Sequence, residues 1–160
     1  MNNTQVQFDW MNKMAIIETV SKFAYYADHR QWEDLQQLFT EEVKVDYTSL
    51  AGGEPVTIPA NVLMDSWNKV LTPLKATQHL ISNHIIDFDN EHQATCRAYF
   101  QAQHEFPNPF GGSQWTLGGK YLFLFVKENT QWKISELVMT AVWANGNQNI
   151  MNLASQQLNI

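Results

Sequence analysis

The chain has 160 residues, which fits a single domain, and a chain of this length buries about 70% of the surface its unfolded form exposes, enough for one core and a cavity. Hydrophobic residues make up 44%, charged residues 16% and aromatic residues 12%, a composition that excludes disorder and favours a packed globule. The net charge of −6 arises from scattered acids with no lysine or arginine run, which excludes a nucleic-acid partner tracked along a phosphate backbone.

The polar segment Met1 to Trp10 has neither the basic start nor the apolar core of a signal peptide, and no run of about 18 apolar residues follows. Together with Cys96 as the only cysteine, which permits no intrachain disulfide or thiolate metal cluster, this predicts a cytoplasmic protein without a membrane span. From Met11 to Asp28, Ile16, Ile17, Val20, Phe23, Ala24 and Ala27 recur at helical spacing and predict an amphipathic helix. Asp28 continues the apolar stripe at the carboxyl end of that helix, where a carboxylate opposes the dipole. It either faces a buried site or caps a second helix predicted over Arg30 to Thr40, whose inner face would be Trp32, Leu35, Leu38 and Phe39.

Val43 to Tyr47 alternates as a strand, and Ala51-Gly52-Gly53-Glu54-Pro55 reads as a turn or flexible loop. Pro59 suits the first turn of a third helix with Val62, Leu63, Trp67, Val70, Leu71 and Leu74 on its apolar side, ended by Thr72-Pro73. The period then changes from about 3.6 to 2. Four strands are predicted, at Thr77 to Phe88, Ala94 to Phe106, Trp115 to Lys127 and Trp132 to Trp143. The polar turns at Asp89-Asn90-Glu91 and Glu128-Asn129-Thr130 predict antiparallel hairpins, with a longer loop at Pro107 to Ser113. Helices followed by hairpins form an α+β pattern, with helices packed on one side of a curved antiparallel sheet. The Asn- and Gln-rich tail, 144–160, is either a short helix closing a pocket or a frayed terminus.

One face of the strand from Ala94 carries Ala94, Cys96, Ala98, Phe100, Ala102 and His104. Small residues in such a row either let helices approach closely or leave a cavity, and this row ends in an imidazole. Leu117, Gly119, Tyr121, Phe123 and Phe125 of the next strand share a face that could wall the same space with aromatics. Of the five histidines, His92 and His29 are predicted at exposed turns, while His79 and His84, five apart, should face opposite sides of one strand. That leaves His79 and His104, each either a hydrogen-bonded core residue or a general acid or base near neutral pH, with Asp28 as the carboxylate positioned to tune one of them. No Gly-rich phosphate loop, nucleophile-elbow serine or metal-binding histidine pair occurs on a helix.

Ala27-Asp28-His29-Arg30-Gln31-Trp32, Val45-Asp46-Tyr47-Thr48-Ser49, Thr77-Gln78-His79, His104 and Trp132-Lys133 resemble, in order and spacing, the cone-shaped fold shared by nuclear transport factor 2, SnoaL-type polyketide cyclases and scytalone dehydratase, the last being closest. The resemblance covers roughly Ile16 to Trp143. It implies a cone-shaped α+β domain, and a cofactor-independent, metal-free site in which His79 and His104 are acid and base, Asp28 orients His104, and Tyr47 polarises a substrate carbonyl through water. Tyr26, Trp67, Phe100, Tyr121 and Phe123 are then the expected substrate-binding residues. The second tyrosine position of that enzyme falls on Ala27, near Tyr25 and Tyr26, and a serine and an asparagine fall on Gly119 and Tyr121, so the substrate would differ. The implied function is a lyase or isomerase that dehydrates, or relocates a double bond next to a carbonyl, in a small hydrophobic molecule. The alternatives are a non-catalytic binding or carrier domain with the same pocket, and an assembly subunit acting through its sheet surface without one. The resemblance also implies a homo-oligomer, dimer or trimer, with Tyr99, Leu122 and Leu124 on the exposed strand faces.

Overall fold

A computed structural model describes residues 3–156. Its first element, helix α1 (Asn3–Asp28), starts earlier than the periodicity predicts and buries Ile16, Val20, Phe23, Ala24 and Ala27 along one stripe. The helix ends in a Schellman arrangement: the Gln31 amide donates to the Tyr26 carbonyl at 2.9 Å and the Arg30 amide to the Ala27 carbonyl at 3.3 Å. Arg30 takes the left-handed position of this motif, φ 58°, which glycine normally fills and which costs a residue with a Cβ about 1 kcal/mol or more.

Helix α2 spans only Trp32–Gln36, because Phe39 and Thr40, predicted as helix, already belong to strand β1 (Phe39–Asp46). Helical propensity loses here to tertiary pairing, since the Ile134 amide donates to the Leu38 carbonyl and Phe39 lies opposite Ile134. Helix α3 (Thr48–Ala51), strand β2 (Val56–Pro59) and helix α4 (Ala60–Leu71) follow. Strand β2 is absent from the sequence prediction. Strands β3 (Ala76–Asn90), β4 (Gln93–Glu105), β5 (Gln114–Glu128) and β6 (Gln131–Gly146) then form a meander closed by helix α5 (Ile150–Gln156).

The six strands make one curved, unclosed sheet in the order β2-β1-β6-β5-β4-β3. The hairpins are antiparallel as expected, but β1 runs parallel to β6, so the sheet is mixed. Helix α1 crosses β3 and β6, and α4 packs against β1, β2, α2 and α5. Alternation on β4 follows the prediction, with Ala94, Cys96, Ala98, Phe100, Ala102 and His104 all buried. Alternation on β3 does not. The left-handed Asn83, φ 59°, inserts one extra residue between the Ser82–Tyr99 and Ile85–Arg97 pairs, and this bulge places His84 opposite inward-facing Ala98. His79 and His84 therefore share the inner side, contrary to a straight count of five. No helix among the described residues is long and apolar enough to cross a membrane.

Candidate functional site

The sheet and its helices leave a cavity of about 410 Å³ whose walls include Phe23, Leu63, Leu117, Met139 and Met151. It is open to solvent, because its mouth is bordered by the exposed residues Leu50, Gly52, Glu54, Val56 and Val70. The two readings of the small-residue row both hold, at different ends. Ala94 and Cys96 are sealed into the core, and burial pushes the Cys96 thiol up to about 11, whereas Ala102 leaves open space between Phe100 and His104.

Asp28, the last residue of α1, reaches the edge strand β3. Its Oδ2 accepts the His79 backbone N–H at 2.8 Å, and its Oδ1 accepts the His79 Nδ1–H at 2.7 Å and the Thr77 hydroxyl at 2.8 Å. The helix α2 N-cap is Gln31 with no side-chain bond, so Asp28 is no cap. Both partners are largely buried, with side chains 12% and 13% exposed for His79 and Asp28. Burial works to raise the Asp28 carboxyl, but the bonds from His79 and Thr77 outweigh it and hold the group below its ordinary value.

The expected partner of Asp28 is His104; the structure gives it His79 instead. Register explains the exchange. Thr77 pairs with His104 and His79 with Ala102, so Asp28, bonded to Thr77 and His79 of the edge strand β3, has its partners on that strand, while His104 lies one strand further in. His104 is 5% exposed, donates Nδ1–H to the Trp115 carbonyl at 3.3 Å, and faces His79 with ring centroids 5.7 Å apart at 85°. Burial and then the neighbouring His79 lower its pKa to about 4, so the ring is neutral near pH 7. With both Nδ1 atoms donating, Nε2 is in each ring the nitrogen left to accept a proton or a hydrogen bond.

Tyr47, at the start of α3, lines the cavity with its ring 6.5 Å from and nearly parallel to that of Trp67. Tyr121 lines it from β5, against Phe100 at 4.4 Å. Desolvation raises both phenols above their ordinary value, and the two hydroxyls influence each other, so both are proton donors near neutral pH. Tyr121 thus brings a second phenol to the cavity from a different element than sequence neighbours suggested. Ala27 is buried in the core, and Tyr25 is 55% exposed and stacked on His29 at 3.9 Å.

Of the expected substrate-binding residues, Trp67, Phe100 and Tyr121 line the cavity, while Tyr26 and Phe123 do not. Phe123 is fully buried behind Phe23 at 5.5 Å, and Tyr26 packs at the edge of the core. Gly119 leaves no room for a serine, since a Cβ there would lie 2.0 Å from the Thr140 carbonyl oxygen and 3.0 Å from the Phe100 ring. His84 lies outside the cavity lining, its Nε2 enclosed without a hydrogen-bond partner. Sequence reasoning gave no role to Thr77 or Arg30, although both stand in segments that carry the resemblance. The further signal for Thr77 was its alternation with His79, which puts both on one face. Among the described residues, no group of three or more His, Cys, Asp and Glu side chains could hold a metal ion.

Residues 12–138 match the SnoaL-like domain family. No curated protein sequence matches the chain. Among solved structures, the protein Kfla4162 from Kribbella flavida is 25% identical over 91% of this chain and 98% of its own, with a TM-score of 0.83. A candidate scytalone dehydratase from Novosphingobium aromaticivorans is 23% identical over 89% and 92%, TM-score 0.79. The hexachlorocyclohexane dehydrochlorinase LinA-type3 from Novosphingobium barchaimii is 15% identical over 89% and 94%, TM-score 0.73. At these last two identities the likeness is one of fold.

Proposed function

The chain belongs to the SnoaL-like family, and from that premise we propose that it is a cofactor-independent acid–base lyase or isomerase acting on a small hydrophobic carbonyl compound. The observation that carries this reading is the Asp28–His79 pair at 2.7 Å, of which His79 lines an apolar cavity and faces a second imidazole. A dehydratase and a dehydrochlorinase among the structural neighbours, both eliminating enzymes by name, support it.

His79 takes a proton from the carbon next to the carbonyl through Nε2, and Asp28 balances the imidazolium that forms. The electron pair of the broken C–H bond moves toward the carbonyl, whose oxygen the phenols of Tyr47 and Tyr121 stabilise by hydrogen bonds, directly or through water. The pair then expels a hydroxyl from the neighbouring carbon as a double bond forms. His104 is a neutral acceptor at rest, so it holds that hydroxyl through Nε2, and the proton that completes water returns from His79. Where no leaving group is present, return of the proton to a different carbon relocates the double bond.

The test is incubation of the purified protein with a panel of uncharged β-hydroxy and β,γ-unsaturated ketones, followed by mass spectrometry and NMR. Turnover by the wild type and its loss in His79→Ala support the proposal. Ligand retained through purification but unchanged on incubation would favour the carrier reading.

A further inference from the structure

Arg30 and Thr77 form a directional relay into the Asp28–His79 pair. The Arg30 side chain folds back beneath the end of α1, where Nη1 donates to the Asp28 carbonyl at 2.6 Å and to the Thr77 hydroxyl oxygen at 2.7 Å, and Nη2 donates to the Leu71 carbonyl at 2.8 Å. A guanidinium has donors only, so at this contact Thr77 must accept. Its single hydroxyl hydrogen is then committed to Asp28 Oδ1, 2.8 Å away. The same oxygen receives the His79 Nδ1–H, and the other carboxylate oxygen receives the His79 amide. The order of donation is therefore fixed from Arg30 through Thr77 to Asp28, with His79 donating to the carboxylate from the other side.

The backbone makes the same point independently. Arg30 sits at the left-handed position of the helix end that glycine would fill without strain, so the fold bears a cost to keep a side chain there. That side chain also ties α1 to β3 and to the end of α4.

We propose that Arg30 and Thr77 are positioning residues that draw charge out of the Asp28 carboxylate and so set how strongly it polarises the His79 ring. The proposal rests on the reading of Asp28 and His79 as the proton-transfer pair, but not on any substrate. The charged and titratable neighbours of the carboxylate are His79, Arg30, His104 and Tyr121. Thr77 holds the Asp28 carboxyl low by its bond, and removing that bond moves the group upward.

The experiment is NMR on the substrate-free protein, following the Asp28 side-chain carbon through a pH titration and the His79 Nδ1–H resonance at fixed pH. Wild type is compared with Thr77→Val, Thr77→Ser and Arg30→Gly. In Thr77→Val the Asp28 midpoint moves up and the His79 proton moves further downfield, because Oδ1 no longer divides its charge between two donors. Thr77→Ser restores both signals, and Arg30→Gly, which relieves the backbone, shifts them in the same sense as Thr77→Val. Unmoved signals in both Thr77→Val and Arg30→Gly overturn the relay. Loss of the His79 proton to exchange in Thr77→Val also overturns it, since Thr77 would then only prop the carboxylate in place. Intact relay signals in a protein that turns nothing over would instead count against the proposed function alone.

Discussion

Strands β4 and β5 run through two regions with the same alternation and opposite character. At one end Cys96, Phe123 and Phe125 meet Ile16, Val20, Ile134 and Leu137 from α1 and β6, all at 1% exposure or less. At the other end Phe100, Ala102, His104, Leu117 and Tyr121 face the open cavity. Periodicity reports only which face is inward; residue size and the covering helix decide whether the interior is filled. Charge follows the same division, because the paired Asp28 and His79 sit only at the open end.

The largest expected difference between the ends is in activity. His79→Ala should lower kcat/KM by about 10²–10⁴-fold, the usual contribution of a positioned acid–base group, while its cost in stability, about 1–3 kcal/mol for leaving the Asp28 carboxylate short of a partner, stays below that of a core truncation. Phe123→Ala should do the reverse. Truncation of a fully buried aromatic costs about 3–5 kcal/mol, measurable by urea denaturation, whereas Phe100→Ala, bordering space that is already open, should cost less than half of that. Equal losses at the two positions would erase the distinction between filled and open ends.

Acid should act first on the open end. His104 has a folded pKa of about 4 against an ordinary value of 6.5, so the unfolded chain binds the proton first and stability falls as pH drops from 6.5 toward 4. This one group accounts for on the order of 3 kcal/mol across that window. Asp28, depressed below 3.8 in the folded protein, contributes stability that is present above that value and lost on further acidification. Denaturation midpoints measured from pH 7 to 4 should therefore decline, and His104→Gln should flatten the decline. Gly119→Ala forces a Cβ to 2.0 Å from the Thr140 carbonyl oxygen, a backbone atom that cannot swing aside, and should cost about 3 kcal/mol or more in the same assay.

Much of this arrangement was legible before any coordinates. The inward row of β4 and the hairpins around it follow from local pattern, and Asp28, His79, His104 and Tyr47 were singled out by pattern or by the resemblance, but of the aromatic wall expected on β5 only Tyr121 lines the cavity, beside Leu117, while Phe123 and Phe125 are sealed in the core. What was not legible depends on relations between elements. Residue spacing cannot say that Thr77 lies opposite His104, and that register decides which imidazole Asp28 receives. Counting by twos fails at Asn83 because one residue in the left-handed region resets the parity of everything after it. The parallel run of β1 beside β6 and the short strand β2 are likewise set by distant partners rather than by their own sequences.

Met151 of α5 lines the cavity, and Ile150 beside it is fully buried, with α5 packed on α4. Asp28, Thr77 and His79 take their mutual bonds from α1 and β3, so that cluster is built without α5. The chamber is not, because Met151 is one of its walls, and Met151→Ala enlarges the space while leaving the Asp28–His79 bond in place.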